Sequence, residues 1–225
     1  MIVDRSVFLM TSANPNTAAF GTAFFTGRDA GGRAYVVTCA HVVKNVGGTD
    51  AVHIGGKCAR VVAMGSPDGA DDIAVLETDV PGDALPLRLG QARAGGRACT
   101  VIGYRKLYGG VRQARAIDGV FESATLTTEG RQIAGWNLRM EDSLPDGYSG
   151  SPVLDTVSGE VIGVASLSFA AGPGAVGQEL RREISQELLA YQSAAGHYRQ
   201  GHPDPGVAAD RQSIRDRPGP VARAG

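Results

Sequence analysis

Short apolar runs of about 5–10 residues, rich in Val, Ile, Phe and Tyr, recur along this chain with Gly, Asp and Pro between them. The first set is SVFLMTS (6–12), TAAFGTAFFTG (17–27), RAYVVTCAHVV (33–43), DAVHIGG (50–56), ARVVAMG (59–65) and DIAVLET (72–78). PGDALPLRLGQARAGG interrupts it. The second set is RACTVIGYR (97–105), RQARAIDGVFES (112–123), RQIAGWNLRM (131–140), GSPVLDT (150–156) and GEVIGVASLSF (159–169). Such runs, punctuated by turn residues, predict an all-β sandwich or barrel. Two sets of about six strands predict two barrels, over about 6–85 and 96–172, joined near 81–96 within a domain spanning 1–177.

One segment has a different period. In VGQELRREISQELLAYQ (176–192), Val176, Leu180, Ile184, Leu188 and Leu189 fall on one face at helical spacing, with Tyr191 nearby. This predicts one C-terminal helix, within 176–195, docked on the barrels. Beyond it the chain is rich in Pro and Gly with scattered charge, and a disordered tail or linker is expected over 196–225.

Composition narrows the function. In 225 residues, a hydrophobic share of 43% is enough for a core, and 32 glycines suit many turns. A net charge of -1 gives no general attraction to nucleic acid or anionic membrane. No run approaches the roughly 20 apolar residues of a membrane helix, and MIVDRSVFLM does not read as a secretory signal. Cys39, Cys58 and Cys99 are odd in number and lack metal-type spacing, so all three are expected as buried, reduced thiols in a cytoplasmic protein.

The candidate chemistry begins at DGYSGSPVLD (146–155), where Ser149 sits between Gly147 and Gly150 ahead of a strand. A plain turn would use the same residues. A nucleophilic serine needs a base, and histidine is the natural one. Of the four histidines, His197 and His202 lie in the expected tail, and His53 reads as a surface or half-buried strand residue. His41 ends an apolar strand at a turn or helical corner, which is a rigid mount. Asp72 opens DIAVL and could orient the imidazole, with Asp71 facing solvent. An α/β-hydrolase elbow does not fit, because it needs glycine where Ser151 stands and an acid and histidine after the serine. A metal site of His197, His202 and Asp204 would have to order the tail, so no metal and no cofactor is expected.

TCAH, DIAVL and GYSGSP together resemble the three motifs of the trypsin/chymotrypsin-like serine protease family, in that family's order. Their separations resemble compact bacterial members such as the HtrA and glutamyl-endopeptidase groups. The resemblance spans about 6–170 and includes GTAFFTG, VIGY and GEVIGVAS. It implies two six-stranded Greek-key barrels with a site between them. It implies His41 as general base and acid, Asp72 as its orienter, Ser149 as nucleophile, and the amides of Gly147 and Ser149 as oxyanion hole. It implies a protein or peptide substrate, with a regulatory partner or further domain. The alternative is a catalytically latent peptide-binding module of the same fold.

The resemblance also places a substrate pocket with Ser143 at its base and Ser166, Leu167 and Ser168 on its wall. With no carboxylate or histidine at those positions, a small neutral slot is expected. Tyr148 stands where digestive members carry an aspartate that pairs with a newly cut amino terminus. Formation of the site without N-terminal cleavage is therefore expected.

Overall fold

The computed structural model describes residues 5–67, 72–91, 96–128, 131–166 and 178–181. Strands β1 (Val7–Ser12), β2 (Phe20–Arg28), β3 (Ala34–Thr38), β4 (Val52–Ile54), β5 (Lys57–Met64) and β6 (Ala74–Thr78) close into one barrel in the order β1-β2-β3-β6-β5-β4. Strands β7 (Arg97–Lys106), β8 (Arg112–Thr128), β9 (Arg131–Met140), β10 (Pro152–Asp155), β11 (Val161–Ser166) and β12 (Gln178–Arg181) close a second, in the order β10-β11-β12-β9-β8-β7. Read in reverse around its ring, the second order is the first shifted by six strands, so the topology is repeated. No repeat is readable in the sequence, because a barrel demands an alternation of apolar residues and not their identity.

Closure removes the free edges that twisted antiparallel sheets would otherwise expose. It also gives each barrel its own core. Val7, Met10, Phe24, Val36, Val37, Ile54 and Leu76 are buried in the first. Phe121, Leu138, Tyr148, Val153 and Ile162 are clustered in the second. The connector is sewn to both: the Leu87 amide donates to Phe25 O at 2.9 Å, and the Val161 amide donates to Arg88 O at 2.8 Å.

The structure departs from the sequence reading at two places. Residues 178–181 form β12 and not the first turn of the predicted helix. They pair with both β11 and β9, so this segment supplies the last strand needed for closure, and that non-local demand overrides local periodicity. The remainder of the predicted helix and the tail from 196 lie outside the described residues. Cys58 is exposed, not buried as expected, because its place on β5 faces it away from the barrel interior, whereas Cys39 and Cys99 are buried.

Replacing Phe24, which is 0% exposed in the first barrel, by Ala should cost about 3–5 kcal/mol. Equilibrium urea unfolding measures it, with the loss appearing in the midpoint at unchanged slope.

Candidate functional site

The apolar run RAYVVTCAHVV does not stay extended. β3 stops at Thr38, Cys39 holds an extended backbone (φ -83, ψ 145), and a short helix α1 (Ala40–Asn45) begins. Gly47 and Gly48, with φ of +115 and +91, allow the turn that follows it. A helix start leaves backbone N–H groups without partners, and the Cys39 side chain provides no cap. Asp72 supplies one from a distant segment: its Oδ1 accepts the His41 backbone N–H at 2.8 Å. Its Oδ2 lies 2.6 Å from His41 Nδ1 and accepts the Ser166 hydroxyl at 2.6 Å. The Asp72 side chain is 2% exposed and the His41 side chain 19%. A carboxylate only accepts, so Nδ1 carries a proton, and in the neutral ring Nε2 then presents its lone pair. Two contacts at once, to backbone and ring, fix both the position and the tilt of the imidazole.

Ser149 arrives from the second barrel on a loop pinned to the first. The Thr22 amide donates to Ser149 O at 3.0 Å, and the Thr22 hydroxyl donates to Gly147 O at 2.7 Å while accepting the Tyr104 amide at 2.9 Å. Gly150 has φ +88, and a Cβ there would lie 2.1 Å from Thr22 O and 2.3 Å from Thr38 Oγ1. Only glycine permits the loop to come this close to the strand that leads to His41. From the other side the Gly150 amide donates to Ala165 O at 2.8 Å. Tyr148 turns inward, fully buried, and its hydroxyl donates to Arg115 O at 2.8 Å. Burial pushes the Tyr148 phenol up, so it remains a neutral anchor.

Within this loop Gly147 has φ +97, a left-handed conformation suited to glycine. Among the described residues, the amides of Gly147 and Ser149 donate no hydrogen bond. Ser149 is 6% exposed, and among the described residues its Oγ and His41 Nε2 are likewise without hydrogen-bond partners. Loose or absent contacts between such groups are common in enzymes without substrate.

Of the positions expected to form the pocket, Ser166 is buried and its hydroxyl is turned onto Asp72, so it serves the carboxylate. Ser143 is exposed on the segment leading to the loop. Leu167 and Ser168, and also Asp71, lie outside the described residues. Thr22 escaped the sequence reading, and Ser166 entered it only as a pocket residue and not as a donor to Asp72, because a positioning hydroxyl carries no local signal. Donor atoms of Cys39, His41 and Asp72 lie within 4.8 Å of one another and could in principle hold a metal. Nδ1 and Oδ2 already face each other, however, and the Cys39 thiol contacts Ala165 O at 3.4 Å. Burial, with the Asp72 charge second, pushes that thiol well up and disfavours the thiolate a metal would need.

The family described as trypsin-like peptidase domain matches residues 21–164. No curated protein matches the chain. Among solved structures, the Rv3671c protease from M. tuberculosis in its active form is 24% identical, with a TM-score of 0.58, covering 82% of this chain and 80% of that one. The apo MamO protease domain from Magnetospirillum magneticum is 20% identical, with a TM-score of 0.57, covering 84% of this chain and 97% of its own. Deg5 is 21% identical, with a TM-score of 0.55, covering 81% and 85%. At these identities the likeness to the solved structures is one of fold.

Ser166→Ala should cost about 1–3 kcal/mol, because it removes a donor from a buried carboxylate. Urea unfolding reads it, and an unchanged midpoint would mean that Asp72 is satisfied without this hydroxyl.

Proposed function

Because the chain belongs to the trypsin-like peptidase domain family, we propose that it is a serine endopeptidase acting through His41, Asp72 and Ser149. The observation that carries this reading is the Asp72–His41 pair, held at 2.6 Å beside the strand on which the Ser149 loop docks. In the proposed reaction His41 Nε2 takes the Ser149 Oγ proton as Oγ attacks the scissile carbonyl. The backbone amides of Gly147 and Ser149 receive the developing oxyanion, and their lack of partners among the described residues supports that role. His41 then gives its proton to the departing amine, leaving an acyl-enzyme. Water, deprotonated by the same Nε2, releases the acid and restores the serine. Asp72 keeps the ring oriented and stabilises the imidazolium that forms.

The proposed substrate is a protein or peptide, and the setting we infer is a cytoplasmic module of a larger regulated bacterial system. The buried anchor of Tyr148 supports a loop positioned by its own packing, without N-terminal cleavage. Ser143, expected at the base of the proposed acyl-side pocket, carries no charge, which supports a neutral slot.

Ser149→Ala should leave the melting temperature near its parent value and lower peptide hydrolysis roughly 10⁵–10⁶-fold. A fluorophosphonate probe should label Ser149 in the parent. A folded parent that takes no label and cleaves nothing favours a peptide-binding module instead.

Peptides differing only at the acyl-side residue should be cleaved fastest with Val or Leu. The margin should be modest, since a methylene in such a slot is worth only about 1–3 kcal/mol. Faster cleavage after Arg would assign the pocket floor to Asp142.

A further inference from the structure

A second pair of reactive side chains lies on the first barrel and takes no part in the chemistry proposed above. β4 and β5 form a tight hairpin across Gly55 and Gly56, whose φ values are +57 and +83. Two successive left-handed residues match the twist of a two-residue hairpin, so the strands leave the turn in fixed register. That register sets His53 directly opposite Cys58. Val52 and Ile54 are buried on one face of β4, so His53 between them projects from the other. Cys58, as its cross-strand partner, projects on the same face. The Cys58 Sγ lies 3.2 Å from His53 Nε2. The thiol is exposed and the imidazole half-buried, with Thr11 of β1 paired on its other side.

The other two thiols are built to be inert. Cys39 and Cys99 are both buried. Burial, then the charges of Asp118 and Asp155, push the Cys99 thiol up to about 12.

From the exposure of Cys58, its contact with His53 and the rigid hairpin that holds both, we propose a thiol-modification site that takes small-molecule disulfides. His53 Nε2 accepts the Cys58 proton, and the thiolate attacks one sulfur of the incoming disulfide. That S–S bond breaks as the new one forms on Cys58 Sγ. The departing thiolate collects the proton held by His53. Cys58 is oxidised to a mixed disulfide by the same step that reduces the leaving sulfur, so no further oxidant is needed. An added dithiol reverses it. The site stands at the end of β5 away from Asp72, since Ala59 pairs with Thr78 whereas Met64 pairs with Ala74, and it does not rest on the peptidase reading.

The test treats the full, folded chain with dithionitrobenzoate, an aromatic disulfide that releases a coloured thiolate, and maps the adduct by peptide mass. Oxidised glutathione is the aliphatic arm. The adduct should fall on Cys58 with either reagent, dithiothreitol should remove it, and Cys58→Ser should abolish it. His53→Asn and His53→Gln should each slow the dithionitrobenzoate reaction about three- to tenfold, through loss of the base that takes the thiol proton as sulfur attacks. A peptide of residues 54–62, which lacks His53, should react as slowly as those variants and needs no fold. Modification at Cys39 or Cys99 in place of Cys58 would overturn the proposal. So would a folded chain that reacts no faster than the peptide, or folded His53 variants that keep the parent rate.

Discussion

A carboxylate taken out of water must be surrounded by donors, and Asp72 draws its donors from two other parts of the chain. The start of α1 supplies the His41 amide and ring, and β11 of the second barrel supplies the Ser166 hydroxyl. Breaking such a set by removing one donor is costly, since the charge would stay buried with less to balance it. The same three contacts therefore do three things. They cap a helix that has no cap of its own, they hold the imidazole in one tautomer, and they tie the barrels together at the place where chemistry is proposed.

The serine loop answers a complementary constraint, close approach of backbone to backbone. Thr22 is the pivot. Its amide and hydroxyl grip the loop at Ser149 O and Gly147 O, its carbonyl accepts the Thr38 hydroxyl at 2.6 Å, and its hydroxyl accepts from Tyr104 on β7. Gly21 and Gly150 remove the side chains that would hold the surfaces apart: a Cβ on Gly21 would lie 3.1 Å from Ser149 O, and one on Gly150 would meet Thr22 O. Tyr148 fastens the loop from behind through the second core. A neutral, buried phenol holds the loop wherever the barrel is folded, whereas a charged tether would add a dependence on its partner.

The three cysteines show how far environment governs a side chain. Cys39 and Cys99 fill core positions and lose their acidity to burial. Cys58 faces out beside an imidazole. Residue type and local sequence are alike in their silence about this difference, and only the face of the strand and its cross-strand partner decide it.

Eleven of the strand segments, β1 to β11, were legible as apolar runs between turn residues, because alternation and turn chemistry are local properties that the backbone obeys directly. His41 at a strand end, Asp72 before a strand and Ser149 between glycines were legible for the same reason: each sits at a break in the pattern where a side chain can leave the core. What tertiary structure decided is everything that depends on pairing across long separations. β12 is a strand because the barrel required a last partner, against the helical period of its own residues. Ser166 serves Asp72, 94 residues away, and Thr22 serves Gly147, 125 residues away. A hydroxyl has no periodicity and no preferred partner in sequence. Its role is fixed only when the closing of two barrels brings a buried acceptor within hydrogen-bond distance.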